Sequence, residues 1–461
     1  MTDSAFSSLN LPTAQVQNLT DLGYVRMTPI QEKSLPLILE GKDLIAKAKT
    51  GSGKTAAFGI GLLEKLNVRS FACQTLVMCP TRELAGQVAK ELRKLARYQH
   101  NIKIITLCGG MPIGPQIGSL EHGTHIVVGT PGRIQDHLRK GTLDLSRVNT
   151  VVLDEADRML DMGFAESMEG ILEQTPAQRQ TLLFSATYPD TIKKISSRYQ
   201  NKPVMVEAES IQSPLNISQK FYSVERGAEK EDLLLQVLGH YQPEHAVIFC
   251  NTKQTCADLA AMLKDQHYYA QELHGDMEQR DRDQVLIKFA NRSTHVLIAT
   301  DVAARGLDID DLPMVINFDL TRDSEVHVHR IGRTGRAGKS GLAISLYTEK
   351  ESYKLADIAD QMQVEIKPSS SDELHDGDMS GHREPSMVTL AIDGGKRSKV
   401  RPGDLLGALT SAGGISGSQV GKIDINDFNA YVAVERSVAK QALNHLTESP
   451  IKGRKFKVRR V

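Results

Sequence analysis

The sequence predicts an α/β protein with two tandem parallel-sheet domains and a small carboxy-terminal βαββαβ domain. Short apolar, strand-like runs alternate with helical segments over residues 1–208, and a second alternation of this kind covers residues 215–367. A polar stretch at 368–385, nearly devoid of large apolar residues, predicts a flexible linker. The periodicity over 386–461 then follows the order strand, helix, strand, strand, helix, strand, which is an RRM-like arrangement.

Length and composition agree with this organisation. A chain of 461 residues is long enough for about three domains. No apolar run approaches the roughly 18 residues of a membrane helix, and the residues Met1–Ser4 do not resemble a signal peptide, so we expect a cytoplasmic protein. The five cysteines include no CxxC pair, which argues against structural zinc and a disulfide framework.

Charge is divided unevenly along the chain. The whole sequence carries 56 basic and 56 acidic residues. Residues 384–461 contain 13 basic and 7 acidic side chains, a net charge of +6, which leaves −6 on residues 1–383. A basic module at the end of a mildly acidic chain favours nucleic-acid binding at that end, although a solvated surface is the alternative.

A glycine-rich loop follows the first short strand, Asp43–Lys47. It consists of Ala48, Lys49, Thr50, Gly51, Ser52, Gly53, Lys54 and Thr55. Glycines let backbone N–H groups surround phosphate oxygens, and the next helix adds its positive amino-terminal end. In such a loop Lys54 reaches the β and γ phosphates and the Thr55 hydroxyl binds Mg²⁺. The loop therefore predicts a nucleotide triphosphate site, although Ala48 replaces the usual first glycine.

The same stretch also fits part of a dinucleotide-binding fingerprint. Gly51, Gly53 and Ala56 match G-x-G-x-x-A. That motif requires an acidic residue about 20 positions later for the ribose, and Val68–Cys79 contains none. The phosphate-loop interpretation is therefore favoured.

Acidic side chains follow a buried-type strand about 100 residues later. The apolar run Val151–Leu153 leads directly into Asp154 and Glu155, with Asp157 two residues further on. Parallel sheets bind ligands at the carboxyl ends of their strands. In an NTPase the first acid holds Mg²⁺, often through water, and the second activates the attacking water. Alone, this stretch is equally consistent with an ordinary polar loop.

Further polar groups follow other strands of the first domain. Each is individually consistent with a turn or a helix cap, and together they predict a sheet edge that contacts nucleic-acid phosphates. These groups are Pro80, Thr81 and Arg82, then Gly109 and Gly110, then Thr130 and Arg133. Ser185 and Thr187 end another strand, and their hydroxyls are candidates for hydrogen bonds to Asp157.

These motifs, in this order and spacing, resemble the DEAD-box RNA helicases, in which Ala48 is the usual residue. The resemblance implies a RecA-like fold and implies that Gln31 and the more distant Phe6 recognise adenine. It also implies that Glu155 activates water and that Ser185, Thr187 and Asp157 couple the ATP site to RNA.

The second domain contains a run of arginines but no phosphate loop. The run is His329-Arg330-Ile331-Gly332-Arg333-Thr334-Gly335-Arg336. Its three arginines have no evident reason to be buried, and a solvated basic turn is the alternative interpretation. Guanidinium groups can stabilise charge on a transferring γ-phosphoryl group, so we expect them to serve the nucleotide of the first domain.

The resemblance extends to the second domain, which implies a second RecA-like unit. It implies that Arg333 and Arg336 contact the γ-phosphate and that Asp308 contacts the ribose. By the same resemblance, Gln279, Arg282 and Thr300 contact the RNA backbone, and His329 contributes to interdomain coupling. His274 beside Asp276 suggests a metal or acid–base pair, but a hydrogen bond between motifs is favoured.

The carboxy-terminal module has a weak RRM signature. Of the expected stacking aromatics only Tyr431 is present, and Asp427 replaces the leading basic residue, so base stacking on the sheet is doubtful. Basic residues cluster instead at 396–401, with Lys396 and Arg397, and at 452–460, with Arg454 and Lys455. A helicase core with such a module resembles the bacterial DbpA group, which implies binding to a hairpin of 23S ribosomal RNA and a role in large-subunit assembly.

Three functional hypotheses follow. The favoured one is an ATP- and Mg²⁺-dependent RNA helicase that separates strands locally, with RNA as partner, no membrane association and a monomeric state. The second is an ATP-gated RNA clamp or remodeller without productive unwinding, against which the intact Glu155 and Arg336 argue. The third is a DNA helicase or remodeller.

Overall fold

A computed structural model of the chain describes residues 4–48, 51–207, 217–227, 229–304, 312–321, 323–335, 340–362, 364–374, 384–412 and 414–461. The chain divides into two compact units between residues 213 and 214. In the part of the chain that is described, no helix combines the length and apolar character needed to span a membrane.

The first unit is built on a seven-stranded parallel sheet in the order β3-β4-β2-β5-β6-β1-β7. Its strands are β1 (Leu44–Lys47), β2 (Thr75–Met78), β3 (Ile104–Leu107), β4 (Ile126–Gly129), β5 (Thr150–Asp154), β6 (Gln180–Ser185) and β7 (Val204–Glu207). Its helices are α1 (Thr13–Asp21), α2 (Pro29–Leu39), α3 (Lys54–Glu64), α4 (Arg82–Leu95), α5 (Ile113–Leu120), α6 (Pro131–Arg139), α7 (Ala156–Asp161), α8 (Ala165–Leu172) and α9 (Asp190–Tyr199).

Helices cover this sheet on both faces, which explains the nearly continuous apolar strands. Successive side chains of a strand point to opposite faces. In β5, Val152 packs into one hydrophobic cluster, whereas Val151 and Leu153 pack into the other. Both faces are therefore core, and polar side chains concentrate where the strands end. This arrangement brings the motifs of the first domain to one edge of the sheet.

The second unit repeats the topology. Its parallel sheet has the order β10-β11-β9-β12-β13-β8-β14. The strands are β8 (Ile217–Val224), β9 (Ala246–Cys250), β10 (Ala270–Leu273), β11 (Val296–Thr300), β12 (Met314–Asn317), β13 (Gly341–Thr348) and β14 (Pro368–Ser369). The helices are α10 (Glu229–Tyr241), α11 (Lys253–Asp265), α12 (Gln279–Ala290), α13 (Asp301–Ala304), α14 (Ser324–Ile331) and α15 (Ser352–Met362).

The start of the expected linker is ordered. Pro368–Ser369 pairs with β8 as an edge strand, and Leu374 packs into the core of the second sheet domain. The structure therefore differs from the sequence expectation over 368–374, because one buried leucine and two strand residues are enough to hold a polar segment on the sheet. Residues 375–383 lie outside the described residues.

The carboxy-terminal module has the expected βαββαβ order. It contains β15 (Met387–Ile392), α16 (Pro402–Gly407), β16 (Val420–Ile425), β17 (Ala430–Glu435), α17 (Ala439–Glu448) and β18 (Val458–Arg460), with a π-helical turn at Ala408–Ala412 after α16. The strands form an antiparallel sheet in the order β16-β17-β15-β18. The predicted fold class, two parallel-sheet domains and an RRM-like module, is confirmed.

One face of the module's sheet packs against the second sheet domain. The Asn291 side-chain amide donates to the Thr389 hydroxyl at 3.2 Å, and the Ser293 hydroxyl lies 2.5 Å from the same oxygen. The Arg436 guanidinium lies 5.4 Å from the centre of the Tyr269 ring. Thr389 is fully buried, and its neighbours in the strand, Val388 and Leu390, point to the opposite face, into the module's own hydrophobic cluster. The second sheet domain therefore covers this face.

Candidate functional site

The glycine-rich loop connects β1 to α3. Gly51 and Gly53 have φ values of 82° and 94°, which glycine adopts without strain. Gly53 caps α3, so the helix begins at Lys54 and presents its amino-terminal end at the loop. Ala48 is buried, and its N–H donates to the Ser185 carbonyl at the end of β6. Lys49 and Thr50 lie outside the described residues.

Gln31 is hydrogen-bonded to the glycine-rich loop. Its side-chain N–H donates to the Gly53 carbonyl at 3.0 Å, and its oxygen accepts from the Thr28 N–H at 2.9 Å. The Thr28 hydroxyl donates to the Ser52 carbonyl at 2.8 Å. A Cβ on Gly53 would lie 2.5 Å from Gln31 Nε2, so this contact requires glycine. The structure thus brings Gln31 to the phosphate loop.

Phe6 lies in the hydrophobic core of the first unit. It is 3% exposed and meets the Tyr24 ring edge-on at 6.2 Å between ring centres. The sequence assigned adenine recognition to Phe6 and Gln31 by resemblance, and that assignment stays a prediction. Their packing shows that both residues are also part of the first unit's structure.

Lys54 and Asp154 face each other across a buried gap. Lys54 Nζ lies 4.0 Å from Asp154 Oδ1, and both side chains are almost completely buried. Among the described residues, neither of these atoms has a hydrogen-bond partner, and Ser52 Oγ likewise has none. Buried polar atoms are normally satisfied, so this group fits a bound phosphate and metal ion. Thr55 lies in the first turn of α3, where it can complete that set.

Burial raises the pKa of the Asp154 carboxyl to about 6; Lys54 acts in the opposite direction, and Glu155 raises the pKa further. A carboxyl group removed from solvent favours its neutral form. A divalent cation would favour the carboxylate instead. Asp154 and Thr55 are hard oxygen ligands of the kind that Mg²⁺ prefers, so the residues present fit that ion.

Glu155 has a left-handed backbone conformation, with φ and ψ both 52°. A residue other than glycine is strained in this region, and such strain clusters at functional sites. Glu155 is the N-cap of α7 and is 4% exposed, and its carboxylate lies 3.6 Å from Arg158 Nε. The strained turn ends β5 abruptly and keeps Asp154 and Glu155 at the carboxyl end of the sheet.

Asp157 connects α7 to the end of β6. Its Oδ2 accepts from the Ala186 N–H at 3.1 Å, the Thr187 N–H at 2.9 Å and the Thr187 hydroxyl at 3.1 Å. The predicted Thr187–Asp157 hydrogen bond is confirmed. The Ser185 hydroxyl also hydrogen-bonds Asp157, as expected, and does so at the backbone, where it accepts from the Asp157 N–H at 3.3 Å.

Two arginines of the first unit converge on the loop after β3. The Arg82 guanidinium packs against Gly110 so closely that a Cβ there would lie 1.5 Å from Nη1. Both terminal nitrogens of Arg133 donate to the Met111 carbonyl at 3.0 Å. Arg82 and Arg133 therefore both contact this loop, at Gly110 and at Met111, and the binding of RNA phosphates there stays a prediction.

The neighbouring hydroxyls serve helix starts. The Thr81 side chain caps α4 by accepting from the Leu84 N–H at 3.2 Å, directly after Pro80. Thr130 is the N-cap position of α6, although its side chain makes no capping hydrogen bond. Thr81 is therefore a helix cap, and its predicted contact with RNA stays a prediction.

The expectation that the arginines of the second unit are exposed is wrong for Arg330 and Arg333, which are 2% and 8% exposed. Arg330 Nε and Nη2 donate to the two Asp301 oxygens at 2.6 and 2.7 Å. Nη2 also donates to Asn251 Oδ1 at 3.0 Å, and Nη1 donates to the Asp319 carbonyl at 2.6 Å. A paired, hydrogen-bonded guanidinium can be buried without a large cost.

Sequence reasoning missed this network and its neighbour Lys230. Lys230 is 5% exposed and lies 2.9 Å from Glu351 and 3.7 Å from Asp319. The sequence did contain a signal for this network. Asn251, Asp301 and Asp319 each follow the end of an apolar strand by one or two residues. Polar groups that follow adjacent parallel strands meet at one edge, as β9, β11 and β12 do here.

The other expected residues of the second unit lie on known elements. Gln279 begins α12 and donates to Asp283 Oδ1 at 2.6 Å, and Arg282, 8% exposed, follows in the same turn. Thr300 ends β11 and His329 lies half-buried on α14. Asp308 and Arg336 lie outside the described residues.

His274 and Asp276 have different partners. His274 Nε2 lies 3.5 Å from Glu272 Oε2, whereas Asp276 pairs with Lys253 at the start of α11. The Lys253–Asp276 pair connects two of the motifs. The two residues thus show no mutual contact of the kind that an acid–base pair requires.

In the carboxy-terminal module the two basic clusters are adjacent. The Lys452 ammonium donates to the Lys399 carbonyl at 3.2 Å, which joins the loop carrying Lys396 and Arg397 to the one carrying Arg454 and Lys455. All four of these basic residues are exposed. Tyr431, the aromatic that the sequence singled out, is 3% exposed and therefore cannot stack on a base in this arrangement.

Comparisons with known proteins agree with this geometry. Residues 28–195 match the family described as DEAD/DEAH box helicase, and 229–338 match the helicase conserved C-terminal domain. Residues 389–460 match the DbpA RNA binding domain. The two helicase matches fall on the two parallel-sheet domains, and the third falls on the RRM-like module.

Individual proteins and a solved structure are also similar to this chain. The chain is 52% identical to the ATP-dependent RNA helicase DbpA of Escherichia coli K12, over 99% of both chains. It is 45% identical to the DEAD-box ATP-dependent RNA helicase CshA of Geobacillus kaustophilus, over 81% of this chain and 80% of the relative. A structure of Saccharomyces cerevisiae Dbp5 bound to RNA and ADP BeF3 aligns with a TM-score of 0.73 and 30% identity, over 80% and 96% of the two chains. The chain belongs to the DEAD-box family of ATP-dependent RNA helicases, and it carries the RNA-binding domain of the DbpA type.

Proposed function

We propose that this helicase separates RNA strands locally and that its carboxy-terminal module directs it to 23S ribosomal RNA during assembly of the large subunit. Local separation means that ATP and one RNA strand stabilise a closed state that excludes the second strand. Each ligand then assists the binding of the other, as thermodynamic linkage requires.

The observation that carries the catalytic part is the unsatisfied pair Lys54–Asp154 beside the strained Glu155. Lys54 binds the β and γ phosphates, and Asp154 and Thr55 hold Mg²⁺, in part through water. When bound, Mg²⁺ would neutralise charge that develops on the phosphates. Glu155 orients and deprotonates the attacking water. The loop from Ala48 to Thr55 binds the phosphates, with the backbone N–H groups from Gly51 onward surrounding them, and Gln31 and Phe6 recognise adenine.

The second domain contributes positive charge to the same reaction. Arg333 and Arg336 contact the γ-phosphate, and Asp308 contacts the ribose. The buried ion pair of Arg330 with Asp301 supports this assignment for Arg333, because it fixes the helix that immediately precedes it. The proposed domains span residues 1–208, 215–367 and 386–461.

RNA phosphates bind at two edges. In the first domain the edge comprises Pro80, Thr81, Arg82, Gly109, Gly110, Thr130 and Arg133. In the second it comprises Gln279, Arg282 and Thr300. Asp157, Ser185, Thr187 and His329 transmit ATP binding to these edges. The support for transmission is the triple hydrogen bond from 186–187 to Asp157, which joins the acidic turn to the end of β6.

The carboxy-terminal module is the basis for proposing ribosomal RNA as the target. Its sheet face is covered, so its exposed basic loops carry the contact with RNA, and the resemblance to the DbpA group indicates a 23S hairpin. Large-subunit precursors are then the substrates, the cytoplasm is the location, and the enzyme works as a monomer. The alternative is an ATP-gated RNA clamp or remodeller that hydrolyses ATP without separating strands.

The decisive experiment compares ATP hydrolysis and strand separation in wild type and Glu155→Gln. Wild type should hydrolyse ATP in response to RNA and separate a short duplex, whereas the variant should bind ATP and RNA with turnover reduced at least 100-fold. Retained turnover in the variant would remove Glu155 as the base. Turnover without strand separation in wild type would favour the clamp.

Target choice is tested by stimulating the ATPase with 23S fragments, unrelated RNA and DNA of the same length. A variant with Lys396, Arg397, Arg454 and Lys455 changed to serine should lose the preference for 23S fragments and keep weak stimulation by any RNA. Its matched control changes the exposed Lys193 and Lys194 of α9. Equal preference in both variants would contradict the assignment of the basic loops.

A further inference from the structure

Two loops of the carboxy-terminal module form one surface. The Lys396 N–H donates to the Asn426 carbonyl at 2.8 Å, and the Arg397 N–H donates to the Asp427 carbonyl at 3.0 Å. Gly395 permits this approach, because a Cβ there would lie 2.3 Å from the Asn426 oxygen. Backbone contacts therefore hold the short helix Lys396–Ser398 against the turn between β16 and β17.

An exposed aromatic ring lies on this surface. Phe428 is 61% exposed, and the Arg397 guanidinium carbon lies 4.6 Å from the centre of its ring. Single exposed apolar residues are common and mean little alone. Here the ring is paired with a planar cation, and arginine and aromatic planes are the groups on which unpaired bases stack.

The charges around Phe428 point in the same direction. Lys396 and Lys399 are exposed on the same loop, and Lys452 is hydrogen-bonded to the Lys399 carbonyl. Two acids lie at ion-pair distances from these lysines in the described residues: Asp427 is 4.0 Å from Lys396, and Asp404 is 3.7 Å from Lys452. Lysines bind phosphates as point charges, whereas an aromatic ring has no group that binds a phosphate. Phosphates and a base are therefore the complementary ligand.

Burial of the module's sheet face also favours Phe428 as the site of base contact. Tyr431, the aromatic expected to stack on that face, is buried, and Thr389 on the same sheet is hydrogen-bonded to Asn291. Among the phenylalanines of the described residues, Phe428 and Phe71 are exposed, and Phe71 belongs to the first unit. Phe428 is thus the exposed aromatic phenyl ring that the module offers to RNA.

We propose that Phe428 and Arg397 form a stacking platform for one unpaired base of the RNA that the module binds, while the surrounding lysines bind the flanking phosphates. This inference rests on the proposed function, because it concerns the same RNA contact. It adds that recognition requires an unpaired nucleotide. A fully paired helix offers no free base face to the ring.

The chain contains no tryptophan, which allows a direct test. In Phe428→Trp the new indole is the sole tryptophan of the protein. Its fluorescence should be quenched when a 23S hairpin with an unpaired loop is added, and unchanged when a blunt duplex of equal length is added. Phe71→Trp is the matched control, because Phe71 is 52% exposed in the first unit, and it should respond to neither RNA.

Affinity gives the second measurement, with fluorescence anisotropy of the same labelled RNAs and full-length protein. Phe428→Ala should weaken binding of the hairpin about tenfold, the size of one stacking contact, and leave duplex binding unchanged. Lys396→Ala should weaken both and reduce the salt dependence. Replacing the stacked nucleotide by an abasic one should remove the difference between wild type and Phe428→Ala.

The outcomes separate this inference from the proposed function. Selective binding of 23S hairpins by wild type, with no quenching in Phe428→Trp and unchanged affinity in Phe428→Ala, would overturn the platform and leave the proposed function standing. If wild type fails to prefer 23S hairpins but Phe428→Trp is quenched by any unpaired RNA, the platform holds and the 23S target fails. If a peptide quenches the fluorescence of Phe428→Trp and RNA does not, the proposed platform is wrong.

Discussion

Asp301 holds the guanidinium of Arg330 with both carboxylate oxygens, at 2.6 Å from Nε and 2.7 Å from Nη2. The pair joins the end of β11 to α14, the helix that directly precedes Arg333. The same guanidinium reaches Asn251 after β9 and the Asp319 carbonyl after β12. One buried side chain thus connects three strand ends of the second domain.

Loss of this guanidinium should destabilise the second unit. We expect Arg330→Ala to lower the free energy of unfolding by about 3 kcal/mol, because it leaves the partly buried Asp301 carboxylate without its cation and removes the hydrogen bonds to Asn251 and the Asp319 carbonyl. Calorimetry of the full-length protein would measure the shift of the corresponding transition. Arg198→Ala is the control, since its pairs with Glu169 and Glu173 are exposed and should contribute less than about 1 kcal/mol. Equal effects of the two changes would contradict the role of burial.

A methyl group on Gly53 should disrupt the phosphate loop. Gly53 has φ 94°, and the new Cβ would collide with Gln31 and Thr28. We expect Gly53→Ala to weaken binding of a fluorescent ATP analogue at least tenfold. Gly86→Ala, in α4, is the matched control, because its Cβ would meet no atom within 4 Å and should leave ATP affinity unchanged while stabilising the helix by about 0.5–1 kcal/mol. Unchanged affinity in Gly53→Ala would show that the loop can relax.

Acid should destabilise the second unit through buried histidines. Burial, and to a smaller extent Arg330, lowers the pKa of His327 to about 4; burial and Arg292 do the same for His245. A depressed histidine pKa means that the unfolded chain takes up a proton first as pH falls. The free energy of unfolding should therefore decrease between pH 6.5 and about 4, by up to about 1.4 kcal/mol per pH unit for each histidine.

The His327→Gln variant should take up one proton fewer on unfolding, so its free energy of unfolding should depend less steeply on pH. Urea unfolding at several pH values would measure it, and His122→Gln is the control because His122 is exposed in the first unit. An identical slope in His327→Gln and wild type would show that His327 does not cause the acid sensitivity.

Thr389 should hold the carboxy-terminal module in place. An arginine at this fully buried position cannot fit against Asn291 and Ser293, so Thr389→Arg should separate the module's sheet from the second domain. Hydrogen exchange at 291–293 should increase at least tenfold, and Arg436→Ala should give a smaller increase through loss of the Tyr269 contact. Thr447→Arg, on the exposed side of α17, is the control. Protection at 291–293 that survives Thr389→Arg would argue against this docking.

Much of the fold could be predicted because its signals are local. The apolar runs of β2, β5 and β9 indicate burial on both faces of their strands. Polar residues at or after the strand ends, such as Thr81 and Asp154, mark the edge of the first sheet at which the site residues lie. The loop of Gly51 and Gly53 requires positive φ angles, which the sequence itself discloses. The order of the module's strands and helices is likewise written in its periodicity.

What the sequence determined by itself was which residue types stand at strand ends, and hence the family and the chemistry they can perform. The tertiary structure alone decided which of them are buried and what they touch. Arg330 and Tyr431 have sequence contexts typical of exposed residues, yet both are covered by elements distant in the chain. Phe428 shows the reverse, an apolar residue that folding leaves in water. Burial depends on the surfaces that packing brings together, and no local pattern specifies those partners.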